Sequence, residues 1–259
     1  MRHFFLFLFL LIEIACSTSP TGRRRILFGV NDEDMNQMGI KAFDEIKSKT
    51  PIENNPRTNA YVKCIANSIL AVINDDTGVK AWEIVVFRDD TANAFALPGG
   101  KIGVHTGILP VTKTPGQLAA VLGHEVAHVL ARHGEERVSE AGLMDKAMGA
   151  IGGVTGNNPA VMGALGAGAK FGVMLPFSRA HESEADVLGL DYMSLAGFDP
   201  KQSVELWKNM GALGGGKPPE IISTHPSDET RIKNLQDHMD GAIQTYTKAR
   251  SSGKNPQCN

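Results

Sequence analysis

The sequence predicts an α+β fold, mostly helical, with a small mixed β-sheet placed just ahead of a central helix. Three observations carry that expectation. The stretch 114–133, TPGQLAAVLGHEVAHVLARH, reads as one capped helix. The block 82–105 abandons helical periodicity for short β-rich runs broken by a Pro-Gly-Gly turn. Segments on both sides of these two read as further helices.

Composition sets the outer limits. The chain has 259 residues, 42% hydrophobic and 21% charged, enough for one large domain with an ample core. A net charge of −2 leaves no footprint for nucleic acid, so no nucleic-acid partner is expected. The run Arg23-Arg24-Arg25 reads as part of a solvated tether.

Taken in order, the chain opens on Phe4 to Ile12 (FFLFLFLLI), an apolar core far short of the roughly 20 residues a spanning helix needs. It ends at Glu13-Ile14-Ala15-Cys16 and gives way to the polar Ser17-Thr18-Ser19-Pro20. A small residue before Cys in this setting resembles a bacterial lipoprotein signal. That resemblance implies acylation of Cys16, a membrane anchor there, and export to the periplasmic side of the outer membrane, since Ser17 rather than Asp follows. Glu13 departs from the pattern and keeps ordinary secretion as the alternative. Residues 1–16 are thus assigned to the signal and 17–30 to a tether. With Cys16 so used, Cys64 and Cys258 remain as an even pair for an oxidising compartment. A disulfide between them would pin the tail, 253–259, to the first helical layer; two free thiols are the alternative.

Asn31 to Lys49 has helical periodicity behind Asp32, Glu33 and Asp34, acids that suit the positive end of a helix dipole. Arg57 to Ile73 forms a second helix, and both act as scaffold. Trp82 to Arg88, Asn93 to Leu97 and Lys101 to His105 are expected as a strand–turn–strand meander. Its edge could accept an extended peptide, or it could be a plain structural hairpin. Thr106 to Val111 reads as a short helix. Beyond the capped helix come another from Glu135 to Met148 and a Gly/Ala-rich, nearly uncharged segment at 149–177. Asn157-Asn158-Pro159 and Lys170 break that segment, so it is expected as a helical hairpin near the cleft rather than a membrane span. Helices at Ser178 to Ala196, Lys201 to Met210 and Ser227 to Lys248 complete the chain, with a flexible Gly211 to Pro219 between the last two.

The chemistry sits on the capped helix, where His124, Glu125 and His128 form HExxH. Residues i and i+4 lie about 40° apart around a helix and roughly 6 Å apart along it, so two imidazoles can share one Zn²⁺ while Glu125 reaches a water. A catalytic zinc needs a third protein ligand. Ala131 and Gly134 stand where a metzincin would place its Gly and His, which excludes that class. His133, about 140° around the helix from His128, reads as a surface residue or one behind the ligands. Glu182, in Glu182-x-x-Ala185-Asp186, is the best third ligand, and Asp186 on the same face can orient a ligand histidine. Glu184 points about 200° away from Glu182 and is the weaker candidate.

HEVAH, then SRAHESEAD some fifty residues later, then STHPSDETR, with NAFALPGG upstream, resembles the gluzincin zinc metallopeptidases of the HtpX, BepA and LoiP-like family, CAAX prenyl endopeptidase type (metallopeptidase family forty-eight). The soluble, exported lipoprotein branch fits best. The resemblance implies a gluzincin-type domain over 31–252 with one zinc per chain, held by His124, His128 and Glu182. It makes Glu125 the general base and later acid, and Asp186 the carboxylate behind a ligand. His225 and Arg231 match groups that steady the oxyanion, and Asn93 and Ala94 match the strand that pairs with substrate. His225 could instead bind zinc and hold the site closed, or be a turn residue before Pro226. The implied activity is endoproteolysis of misfolded or stalled envelope polypeptides. The alternative is a non-proteolytic chaperone or assembly-factor-binding protein using the same cleft; the intact Glu125 favours the first.

Overall fold

A computed structural model describes residues 16–27, 29–143, 178–212 and 229–259. Two short antiparallel strands, β1 (Cys16–Thr18) and β2 (Arg24–Ile26), precede helices α1 (Asp32–Lys49) and α2 (Pro56–Leu70). A three-stranded sheet follows, of β3 (Glu83–Phe87), β4 (Ala94–Leu97) and β5 (Lys101–His105), and then a single 3-10 turn at Thr106–Ile108. Helix α3 spans Pro115–Leu130, and α4 covers 133–143. Helices α5 (Arg179–Leu195), α6 (Lys201–Ala212) and α7 (Glu229–Ser251) complete the described fold. The Gly/Ala-rich 149–177 segment and Gly211 to Pro219, apart from Gly211 and Ala212 in α6, lie outside the described residues. No helix among the described residues is long and apolar enough to cross a membrane.

Helix α3 is the axle. Every residue from Gly116 to Leu130 is buried, between α2, α5, α6 and β4. Its start is fixed as the sequence predicts: Thr114 Oγ1 accepts from the Gln117 N–H at 3.2 Å, and Pro115 opens the first turn. Gln117 Oε1 accepts in turn from the Lys113 N–H at 2.9 Å, one residue before the cap. Leu118 and Leu122 of α3 pack into a core with Ile65, Ile69, Val86, Ile102 and Met193, none of them more than 1% exposed.

A helix enclosed on all sides can carry polar site residues only if a neighbour comes close enough to meet them. The neighbour is α5, and the contact point is glycine on glycine. A Cβ on Gly123 would stand 2.9 Å from Gly189 O, and one on Gly189 would stand 2.7 Å from the His124 N. Both obstacles are backbone, so neither can swing aside. Gly189→Ala should therefore push α5 from α3 at the level of His124. We expect stability to fall by about 1–3 kcal/mol, which urea unfolding of the variant would read.

The sheet is mixed, but it is not the meander expected. Its order is β3-β5-β4, with β3 and β5 parallel and β4 antiparallel to β5. The chain crosses from β3 to the far side, forms β4, and returns through the Pro98-Gly99-Gly100 turn to fill the middle. Gly99 and Gly100 have φ of 81° and 70°, which that reversal requires. The outer side of β3 is occupied: Glu53 N–H donates to Val86 O and Arg88 N–H to Pro51 O. That leaves β4 as the other edge.

Cys64 and Cys258 are joined by a disulfide, their Cα atoms 5.6 Å apart and 194 residues apart in sequence. Cys258 is buried in the main core, so the tail is part of the fold. A loop of this length implies about 5 kcal/mol of unfolded-state restriction, with about 2–4 kcal/mol typical of measured bridges. Reduction should lower the urea midpoint accordingly, and Cys258→Ser should reproduce the shift without reductant.

Two residues of the basic run pack onto the domain, while Arg24 is exposed. Arg25 is buried and donates to Ala131 O at 2.9 Å, beside the C-terminus of α3. Arg23 is ion-paired to Glu136 and Glu184, at 2.7 and 2.6 Å.

Candidate active site

His124 and His128 stand one turn apart on α3, and Glu182 lies in the first turn of α5. One donor atom from each lies within 4.8 Å of the others, and all three residues are buried. The two Nε2 atoms are 3.0 Å apart; Glu182 Oε2 is 3.4 Å from His124 Nε2, and Oε1 is 3.5 Å from His128 Nε2. A tetrahedral ion with bonds near 2.0–2.2 Å holds its donors about 3.3–3.5 Å apart. The observed spacings suit one such ion, and two imidazoles with one carboxylate suit a first-row dication, zinc among them.

Asp186 stands behind His124. With Nε2 facing the cluster, Nδ1 carries the proton and donates to Asp186 Oδ1 at 3.0 Å. Asp186 is gripped on both oxygens by Arg231, from Nε at 2.7 Å and Nη2 at 2.6 Å. Arg231 Nη1 also reaches Glu182 Oε2 at 2.7 Å, and the guanidinium lies 4.1 Å over the Trp207 ring. Burial is the largest single influence on Asp186 and opposes its ionisation, yet the Arg231 charge and the hydrogen bonds from Arg231 and His124 together hold the carboxyl below its usual range. Burial likewise opposes charge on His124, but bonding to Asp186 and Glu182 lifts its pKa to about 9. The carboxylates that hold that proton would equally attract a dication, so metal binding should release a proton.

Glu125 is buried and is not one of the three donors. It borders a cavity of about 30 Å³ that also touches His124, Asp186 and the Trp207 ring, room for a water or two. On the other side of the histidines lies an open groove of about 460 Å³. Ala96, Leu97 and Pro98 form one bank, Met35 and Met38 of α1 another, and His128 and Val129 part of the floor.

The predicted substrate strand borders this groove, with a shift of emphasis. Asn93 O already accepts from the His105 N–H at 3.0 Å, so Asn93 faces β5. By the alternation of an antiparallel ladder, Ala94 and Ala96 turn their backbone groups outward. Ala94 is buried and Ala96 half-buried, which puts the approachable part of the edge at Ala96. His225 lies outside the described residues.

His133 is not a surface residue. It is fully buried, with Nδ1 2.9 Å from His128 Nδ1 and Nε2 3.2 Å from Glu184 Oε2. Of its two expected places it takes the one behind a ligand; the helical angle could not decide between them because α3 ends at Leu130 and Arg132 adopts φ 58°, turning the chain before α4 begins. Glu184 faces away from the metal donors as expected and meets His133 instead. Burial opposes its ionisation, but bonds from His133, Ser19, Thr21 and Arg23 hold it far below the ordinary range for Glu.

Comparison with known proteins bears on this site. The model of Peptidase family M48 matches residues 56–239, which contain all the residues of the cluster, Glu125 and Arg231. The mitochondrial metalloendopeptidase OMA1 of Schizosaccharomyces pombe is 38% identical over 226 residues, covering 85% of this chain and 65% of that protein. OMA1 of Saccharomyces cerevisiae is 38% identical over 187 residues, 68% of this chain and 52% of that protein. The beta-barrel assembly-enhancing protease of Escherichia coli is 27% identical over 212 residues, 77% of this chain and 42% of that protein. The chain thus spans less than two thirds of the length of these relatives.

Proposed function

This chain belongs to peptidase family M48, and on that premise we propose that it is a zinc endopeptidase hydrolysing peptide bonds of unfolded or stalled polypeptides. The observation that carries the reading is the three-donor cluster beside a buried Glu125 that is not needed as a donor. A zinc ion at His124, His128 and Glu182 would lower the pKa of water towards about 7 and polarise the scissile carbonyl.

Each remaining step belongs to a residue of this chain. Glu125 takes a proton from the attacking water and returns it to the departing amine nitrogen. Asp186 fixes His124 with Nε2 free to bind the ion, and Arg231 fixes Asp186. Arg231 also places a fixed positive charge beside the ligand carboxylate, where it would favour the oxyanion of the tetrahedral intermediate. His225 is proposed as a second donor to that oxyanion. The substrate backbone adds to the outer edge of β4 through the outward backbone groups of Ala94 and Ala96, next to Asn93, as a strand extending the sheet.

The proposed setting is the exported face of a bacterial envelope, with Cys16 acylated at the outer membrane and misfolded envelope proteins as substrates. The apolar core ending at Cys16 and the Cys64–Cys258 bridge, which suits an oxidising compartment, support it. Mass spectrometry of the membrane fraction should find acylated Cys16 at the mature N-terminus; an unmodified thiol there would remove the anchor.

The enzymatic reading is tested on unfolded casein. The purified chain should cleave it, stop with 1,10-phenanthroline, and resume when zinc is returned. Undiminished cleavage after verified metal removal would sink the reading.

A further inference from the structure

Each ligand histidine needs a partner at its other ring nitrogen, and the two are served from opposite ends of the chain. His124 is backed by Asp186, which Arg231 of α7 grips. Behind His128, Nδ1 meets His133 Nδ1 at 2.9 Å. The proton positions along this path follow from one constraint. If His128 presents the Nε2 lone pair to an ion, its Nδ1 carries hydrogen and donates to His133 Nδ1. His133 then carries its own hydrogen on Nε2, which faces Glu184 Oε2 at 3.2 Å. Every donor thus points at an acceptor, and the path ends on a carboxylate.

That carboxylate is held from the N-terminal hairpin. Thr21 Oγ1 donates to Glu184 Oε1 at 2.6 Å, and Arg23 Nε to Oε2 at 2.6 Å. The other edge of the Arg23 guanidinium pairs with Glu136, from Nη1 at 2.9 Å and Nη2 at 2.7 Å. Glu136 in turn meets His181 Nε2 at 2.8 Å, and the His181 ring stacks on His133 with centroids 4.4 Å apart. Arg23 therefore clamps Glu184, which meets His133, together with Glu136, which meets the His181 ring stacked on His133.

We propose that Arg23, Glu184 and His133 are positioning residues of the metal centre, which orient His128 and fix its tautomer, so that the N-terminal hairpin 16–26 completes the site. The proposal rests on the metal-binding reading above. It gives the hairpin a role in metal affinity that an inert tether to a membrane would not have.

The test is a double-mutant cycle on the full chain, read as zinc affinity by competition with a chromophoric chelator. Arg23→Ala and His133→Phe should each weaken zinc binding by about 10–100-fold. The double variant should lose little more than either alone, because both cut the same path. The visible spectrum of the Co²⁺-substituted chain should change alike in both, a signature of ligand geometry that a purely structural role would not move. If Arg23→Ala does not fold, Glu184→Gln, which keeps the shape, takes its place in the cycle. Zinc affinity within about twofold of the parent in the single variants would overturn the proposal, as would fully additive losses. A parent chain that binds no zinc would instead overturn the metal-centre reading beneath it.

Discussion

Glu125→Gln should lower the rate of peptide hydrolysis by about 10²–10⁴-fold while zinc content stays at one ion per chain. The substitution is nearly isosteric and leaves the three donors, His124, His128 and Glu182, untouched. What it removes is a carboxylate able to accept the water proton beside a low-polarity cavity. His124→Ala gives the contrast: it deletes a donor and should lose both zinc and activity. Metal analysis and casein cleavage on the same preparations separate the two. If Glu125→Gln lost its zinc, Glu125 would be a ligand and the assignment of roles would be wrong.

Arg231→Ala should produce the largest loss of stability. Arg231 is buried and neutralises Asp186 and Glu182 together, so its removal leaves two buried carboxylates short of their cation. Breaking a buried pair from one side typically costs about 3–5 kcal/mol. In the metal-free chain the full cost should appear as a lower urea midpoint. Saturating zinc should narrow the gap, because the ion takes over part of the compensation at Glu182. Arg231→Lys keeps a charge but not the two-pronged grip on Asp186 and should fall between. A metal-free Arg231→Ala chain within about 1 kcal/mol of the parent would contradict this account of the site's electrostatics.

Much of the site was legible because its logic is local to helices. HExxH announces two donors one turn apart, and Glu182 with Asp186 repeats the same i, i+4 geometry on α5. The caps at Thr114 and Ser178 mark where those helices begin, and both caps form. What the sequence hid depends on departures from regular geometry or on contacts far apart in the chain. The sequence left His133 between the surface and a place behind the ligands, because Arg132 turns left-handed and ends the angular bookkeeping of α3. Arg23 reaches Glu184 across 161 residues, and a basic run near a terminus carries no mark of such a partner. The sheet order was hidden for a related reason. Three successive short strands suggest neighbours in sequence order, whereas β5 inserts between β3 and β4. The close crossing of α3 and α5 left a readable trace in Gly123 and Gly189, two glycines inside helices where propensity alone would disfavour them.

The measurement that bears most directly on the central claim is stepwise zinc repletion of the metal-free chain, with bound zinc and casein cleavage followed together. The account predicts that activity rises in proportion to zinc and levels off at one ion per chain, and that His128→Ala stays inactive throughout. Full activity before any zinc is bound, or undiminished repletion of His128→Ala, would contradict it.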